Sequence, residues 1–215
     1  DLPEGGYSEV VGNLIQQGPN AENSSTVLSY GAESTTPEMV LLIAHNTLVN
    51  DKDNSPAFVR TKGATEVVMR NNLFIGTGTP LETSSDPNVD SLGDLQVEDG
   101  SELMGRLAYD YQLSSAATAI DSGSSIQAPF SQLIPNLEYI PGGTRARWDD
   151  GPPDVGAYGI GEPKDSRDNG NKRRQRHGLR QFCRPRRYRL CLHQHINSAW
   201  RPLALAPWNP CAAAA

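Results

Sequence analysis

The stretch VVMRNNLFIG, from Val67 to Gly76, places two asparagines between two apolar runs. Asparagine is a poor strand former, whereas valine, leucine, isoleucine and phenylalanine fit a pleated, half-buried surface. The stretch therefore predicts two short strands joined by a corner, and a repeat of the pattern elsewhere would show that the corner is an architectural element.

The pattern occurs three times when the segments are aligned on asparagine. The matching segments are VVGNLIQQG around Asn13, LIAHNTLVND around Asn46 and VMRNNLFIGT around Asn72. Self-similarity at periods of roughly 20–50 residues indicates a repeat architecture. Apolar residues do not recur with a helical period over a helix-length window, so the repeating unit is predicted to consist of strands.

Each repeat continues through a polar loop into a third short strand, seen in the segments STVLSYG, AFVRTKG and TPLETSS. Three short strands per repeat resemble the right-handed parallel β-helices of the pectate-lyase-like superfamily. The resemblance implies an all-β solenoid whose coils occupy residues 1–82.

The recurring asparagine has a physical explanation in such a fold. A corner between strands needs a residue that tolerates left-handed backbone angles, and asparagine does so better than most residues. Successive coils would stack about 4.8 Å apart. Asn13, Asn46 and Asn72 are therefore predicted to lie above one another and to exchange amide hydrogen bonds as a ladder. The alternative is that they are unrelated loop asparagines.

The later part of the chain carries two further motifs. LAYDYQLSSAATAIDSGSS begins at Leu107, and DVGAYG begins at Asp154. The pair resembles the closing segment of many bacterial parallel β-helix proteins, which implies a C-terminal cap within residues 83–161. Ile120, Val155 and Tyr158 are expected to cover the end of the core. Residues 83–106 are acidic and turn-rich, and they are predicted to be a loop leaving the stack.

Charge divides the chain sharply. Residues 1–161 hold 7 Lys and Arg against 22 Asp and Glu, a net charge of −15, whereas residues 162–215 carry a net charge of +9 and all three cysteines. The second part is predicted to be an irregular, non-native basic tail. Its Cys and His spacing does not match a zinc site, and an arginine-rich tail predicts no specific nucleic-acid binding.

Four residues are candidates for chemistry. His45 and Arg70 precede the corner asparagines, and in polysaccharide lyases of this shape the substrate groove runs along the same strands. The resemblance therefore implies that Arg70 neutralises a uronate while His45 acts close to it; ordinary surface hydrogen bonding is the alternative. Asp51 and Asp53 resemble the start of a calcium loop, so Ca²⁺ is an expected cofactor, although a solvated acidic loop would look the same.

Three functions follow from the resemblance and stay open at this point. The first is a carbohydrate-active or carbohydrate-binding protein, with acidic polysaccharide or another glycan as partner and a lyase or hydrolase fragment as one form. The second is a noncatalytic surface or adhesion solenoid, and the third is a hydrolase of a small substrate. The strongly acidic repeats weigh against a polyanionic substrate.

Location and assembly are predicted from the ends and the hydropathy of the chain. No apolar run approaches 18 residues, so no membrane span is expected. The resemblance implies a secreted or periplasmic bacterial protein. The first strand begins almost at once, which predicts an open N-terminal coil that self-associates or lacks an upstream half.

Overall fold

The computed structural model describes residues 1–22, 26–53 and 57–161, and nearly all of its regular structure is β. The strands are β1 Tyr7–Val11, β2 Leu14–Gln17, β3 Thr26–Tyr30, β4 Val40–Ala44, β5 Thr47–Asn50, β6 Ala57–Thr61, β7 Glu66–Arg70, β8 Leu73–Ile75, β9 Thr79–Thr83, β10 Asn88–Leu92, β11 Leu95–Val97, β12 Leu103–Gly105, β13 Asp110–Leu113, β14 Leu137–Ile140 and β15 Gly143–Ala146. Two short 3₁₀ helices, η1 Arg106–Ala108 and η2 Ser131–Leu133, complete the elements.

The first eleven strands form three parallel sheets that the chain visits in turn. Sheet 1 has the order β1-β4-β7-β10, sheet 2 the order β2-β5-β8-β11 and sheet 3 the order β3-β6-β9. Each of the strands β1 to β8 therefore pairs with the strand three places later in the chain. We call three consecutive strands, one from each sheet, a rung. The prediction of an all-β fold with stacked parallel strands is confirmed for the described residues.

The acidic segment after residue 83 does not leave the stack as predicted. β10 pairs with β7 and β11 pairs with β8, both in parallel and in register, so that Leu95 lies beside Leu73. The reason lies in Gly93 and Asp94, which occupy the same corner position in the last rung as Gly12 and Asn13 occupy in the first. A carboxylate at this position accepts the same hydrogen bonds as an amide, and the stack continues.

The inner core lies between the three sheets and is built by alternation along each strand. Leu41 and Ile43 of β4 point inwards, where they share a cluster with Phe58 of sheet 3 and Phe74 of sheet 2. The rings of Phe58 and Phe74 lie 5.2 Å apart at a tilted angle, which is a favourable arrangement for aromatic pairs. Burial of these side chains supplies the hydrophobic stabilisation of the stack.

The outer faces of sheets 1 and 2 are also buried, because the chain after residue 103 folds back over them. Leu42 and Val68 of sheet 1 pack against Ile126 and Leu133. A second outer cluster combines sheet 2 with the C-terminal segment, and its members include Val49, Leu73, Ile75, Leu103, Tyr111, Leu113, Ala119, Val155, Ala157 and Tyr158.

This packing differs from the predicted cap. Ile120, Val155 and Tyr158 belong to the cluster on the side of sheet 2, whereas β10, at the end of the stack, is exposed along its whole length. The side of the sheet offers apolar residues from several rungs, which is a larger apolar surface than the last rung presents.

The predicted asparagine ladder is confirmed, and it has a fourth member. Asn13 Nδ2 donates to Asn46 Oδ1 at 3.1 Å, and Asn46 Nδ2 donates to Asn72 Oδ1 at 2.9 Å. Asn72 Nδ2 then donates to Asp94 Oδ1 at 2.8 Å. The backbone N–H of each asparagine donates to the same acceptor as its side chain. Because a carboxylate has no N–H to pass on, Asp94 ends the chain of donors.

The left-handed backbone angles lie one residue earlier than predicted. Gly12, His45, Asn71 and Gly93 have φ values of 68°, 51°, 54° and 75°. These four residues, here called the left-handed column, make the bend. The ladder residue that follows is thereby free to turn its amide inwards along the stack.

Among the described ranges, no helix is both long enough and apolar enough to span a bilayer.

Candidate functional site

His45 lies in the left-handed column and is buried beneath the C-terminal segment. Its residue exposure is 2%. Nε2 lies 3.3 Å from the amide nitrogen of Asn71, and Nδ1 is buried without a hydrogen-bond partner among the described residues. The ring is therefore not presented to a groove, and substrate would have to displace the covering segment to reach it.

The surroundings of His45 keep the ring neutral. Burial lowers the pKa of His45 from 6.5 to about 4, and the Arg147 guanidinium acts in the same direction, while Asp149 opposes it. Arg147 is itself buried and donates to the carbonyl oxygens of Asp154 and Gly156 at 2.9 and 2.8 Å. These contacts make His45 and Arg147 part of the join between the stack and its covering segment.

Arg70 is also buried and is occupied by neighbours in its own sheet. Its guanidinium donates to the carbonyl oxygen of Asp90 at 2.7 Å and pairs with the Asp90 carboxylate. The cation lies 5.4 Å from the ring centre of Phe130, which adds a cation–π contact. The structure thus holds Arg70 on the outer side of sheet 1, where it ties β7 to β10.

The two predicted calcium ligands lie in different surroundings. Asp51 accepts hydrogen bonds from the Gln16 amide and from the Arg106 guanidinium. Asp53 is exposed in the turn that follows. Within the described ranges no group of three or more His, Cys, Asp and Glu side chains could hold a metal ion. Calcium binding by Asp51 and Asp53 stays a prediction.

Asp51 belongs instead to a group of side chains beside sheet 2, which we call the lateral cluster. Its members Gln16, Asp51, Arg106 and Tyr111 are linked by hydrogen bonds, and Tyr109 joins them through a ring contact with Tyr111. The Tyr111 hydroxyl donates to the side-chain oxygen of Gln16, whose amide donates to Asp51. Burial raises the pKa of Tyr111 to about 12, and the nearby Asp51 carboxylate adds to the effect. Tyr111 therefore stays protonated and serves as a fixed donor.

The lateral cluster reaches the surface through Tyr109. This residue is 66% exposed, and its ring centre lies 6.4 Å from that of Tyr111. Its φ of 60° is unusual for a bulky residue, and it follows the 3₁₀ turn that exposes Leu107 almost fully. Strained residues concentrate at binding and catalytic sites, so Tyr109 marks this place as a candidate for function.

The chemistry of the lateral cluster suits recognition better than catalysis. It combines an exposed aromatic face with a planar amide, a guanidinium and a carboxylate that are already fixed by one another. The cation in it is neutralised by Asp51. The other Lys and Arg side chains of residues 1–161 likewise have acidic or carbonyl partners, namely Lys52, Arg60, Lys62, Arg70, Arg145 and Arg147.

The sequence reasoning missed Asp94 and most of the lateral cluster. Asp94 had a signal, since Gly-Asp-Leu at residues 93–95 repeats Gly-Asn-Leu at residues 12–14. Arg106 and Tyr111 had none, because their partners Asp51 and Gln16 lie 55 and 95 residues away in the chain.

No protein-family model, no curated protein and no solved structure matches this chain.

Proposed function

We propose that the chain is a right-handed parallel β-helix solenoid of the secreted type that binds an uncharged glycan at the lateral cluster and does not turn it over. The observation that carries the proposal is the exposed ring of Tyr109, which lies beside a fixed polar network on a residue whose backbone is left-handed. The solenoid is supported by the strand order, because successive strands of the chain are added to sheets 1, 2 and 3 in turn.

Sugar rings have an apolar C–H face and a polar rim, and the lateral cluster offers a partner for each. An exposed tyrosine ring can lie against the C–H face, while amide, guanidinium and carboxylate groups at its edge can bind hydroxyls. Since Gln16, Asp51 and Arg106 are fixed by one another, little side-chain entropy would be lost on binding.

The charge of the surface favours a neutral glycan over the acidic polysaccharide expected from the resemblance. Residues 1–161 carry a net charge of −15, and their Lys and Arg side chains already have acidic or carbonyl partners. A polyanion would meet electrostatic repulsion along the molecule. Binding without turnover is favoured because His45 and Arg70, the residues expected to catalyse β-elimination, are both buried and engaged.

Replacing Tyr109 by alanine tests the proposal. We expect the Tyr109→Ala change to weaken retention by neutral polysaccharides in affinity electrophoresis by about tenfold, since loss of a well-placed aromatic contact costs about 1–2 kcal/mol. Tyr7→Ala is the matched control, because Tyr7 has the same 66% exposure but lies on β1. It should leave retention unchanged.

Two results would contradict the proposed function. One is equal loss of retention in both tyrosine variants, which would place the binding surface elsewhere. The other is the appearance of unsaturated or hydrolysed products from pectate, alginate or neutral glycans, which would make the protein an enzyme. A chelator should leave retention by the unchanged protein as it is, because the lateral cluster binds through its side chains and not through Ca²⁺.

A further inference from the structure

The N-terminal face of the stack, formed by the first rung, has an opening of about 680 Å³. Its floor includes Val10, Ile15 and Leu28, which belong to the inner core. Ile134 and Leu137 stand at its side and are about half exposed. The inner core of the molecule is thus open on this side, and the apolar side chains of Ile134 and Leu137 line one edge of the opening.

β1 presents main-chain groups at this face that pair with no strand among the described residues. Gly6 and Gly12 flank β1, and the Gly6 carbonyl accepts from the N–H of Val40 while the N–H of Gly12 donates to the carbonyl of Ala44, so the even-numbered positions face β4. The N–H and C=O groups at positions 7, 9 and 11 consequently point away from the stack, and the Val11 carbonyl among them also accepts a hydrogen bond from the Asn13 side chain. A further strand beside β1 would pair with them, as in β-augmentation.

In sheet 3, a residue already pairs with the outer edge of the first rung. Leu2 forms a parallel bridge with Tyr30 of β3. Its N–H donates to Ser29 O and its carbonyl accepts from Gly31 N–H, both at 2.8 Å. The edge of β3 is therefore covered by Leu2, whereas β1 and β2 are the edge strands of sheets 1 and 2.

The ladder shows which residue a further rung needs at its corner. Each ladder oxygen within the stack accepts two N–H groups from the asparagine of the preceding rung. Asn13 Oδ1 has no such donor among the described residues. An asparagine at the corner of an added segment would supply both its backbone N–H and its side-chain amide to this oxygen.

A second copy of the chain is a poorer match for this face than a segment with a donor at its corner. If two first rungs met edge to edge as antiparallel strands centred on Glu9, each Glu9 would lie opposite its own copy, and like charges opposite each other are destabilising. If the last rung of another copy stacked on the first, Asp94 would bring a carboxylate against Asn13 Oδ1. The Asp94 carboxylate would then face Asn13 Oδ1 in place of a donor amide, and only the backbone N–H of Asp94 would be left to donate.

We infer that the N-terminal face binds an extended strand–corner–strand segment of a partner protein, parallel to β1 and β2, with asparagine at its corner and a basic residue beside Glu9. The asparagine continues the ladder onto Asn13, and the basic residue meets an exposed carboxylate. Apolar side chains between them close the inner core and contact Ile134 and Leu137.

A peptide from the chain itself provides the probe. Residues 65–77 contain β7, the corner and β8, and Val68 falls in the same column as Leu42 and Glu9. The peptide with Val68→Lys, carrying a fluorescent label, should bind the full chain in an anisotropy titration. Adding Asn72→Asp to it should weaken binding by about tenfold, because the corner loses its donor amide.

A charge reversal fixes the register. The Glu9→Lys variant of the protein should bind the Val68→Lys peptide about threefold more weakly and a Val68→Glu peptide correspondingly better. Glu9 is exposed on an edge strand, so the variant should fold normally. Absence of binding up to millimolar peptide, affinity that is indifferent to the corner residue, or unchanged preference in the Glu9→Lys variant would each overturn the inference. So would a dimer of the protein that excludes the peptide.

Discussion

Replacing Asn46 by alanine is expected to destabilise the protein by about 4 kcal/mol, because the side-chain amide of Asn46 is buried and three partners lose a hydrogen bond to it at once. Asn46 Oδ1 accepts from the Asn13 backbone at 2.9 Å, and Nδ2 donates to Asn72 Oδ1 at 2.9 Å and to the Val10 carbonyl at 2.8 Å. Each buried polar group left unpaired costs about 1–3 kcal/mol. Urea unfolding measures the loss directly.

Asn13→Ala is the matched control for this change. Asn13 stands at the exposed end of the ladder, and its side chain donates to Asn46 Oδ1 and to the carbonyl of Val11. Water can replace both bonds there, so we expect a loss of about 1 kcal/mol. Equal losses in the two variants would show that the middle of the ladder is no more important than its end.

Acid should destabilise the protein through His45. Its pKa is about 4 in the folded chain and about 6.5 in the unfolded chain. Between these pH values the unfolded state binds more protons, so stability falls as pH falls. The difference in pKa corresponds to about 3 kcal/mol lost between pH 7 and pH 4.

The His45→Asn variant isolates this effect. Asparagine tolerates the left-handed conformation that His45 adopts, and it does not titrate. The partly buried carboxylate of Asp94, whose pKa is raised by desolvation, titrates in both proteins, so its contribution cancels in the comparison. Denaturant unfolding at several pH values should show the acid-dependent loss in the unchanged protein and a flatter profile in the variant. Parallel profiles would contradict the proposed burial of a neutral His45.

The spacing of Asn13, Asn46 and Asn72 was sufficient to predict the ladder and the stacked strands, because the apolar register around each corner agrees. The alignment on asparagine alone did not include Asp94, although its carboxylate accepts the same two hydrogen bonds as the asparagine side chains do. The left-handed column was also missed. Its members are two glycines, a histidine and an asparagine, and what they share is a backbone conformation and not a chemistry.

The burial of the outer faces of sheets 1 and 2 could have been predicted from the apolar run of β4, which we used only to predict a strand. β4 has the sequence VLLIA, and such continuous apolar runs are typical of strands buried on both faces. The lateral cluster could not be predicted in the same way. Arg106 contacts Asp51 only because the chain folds back along sheet 2, and no local sequence pattern predicts that the chain folds back there.

The central claim is that the corners at residues 13, 46, 72 and 94 lie in one column, and nuclear Overhauser contacts between their amide protons test it most directly. In an isotope-edited spectrum of the labelled protein, the side-chain amide of Asn46 should show cross peaks to Asn13 and to Asn72, and that of Asn72 should show one to Asp94. Amide protons that show contacts only to sequence neighbours would contradict the stacked arrangement.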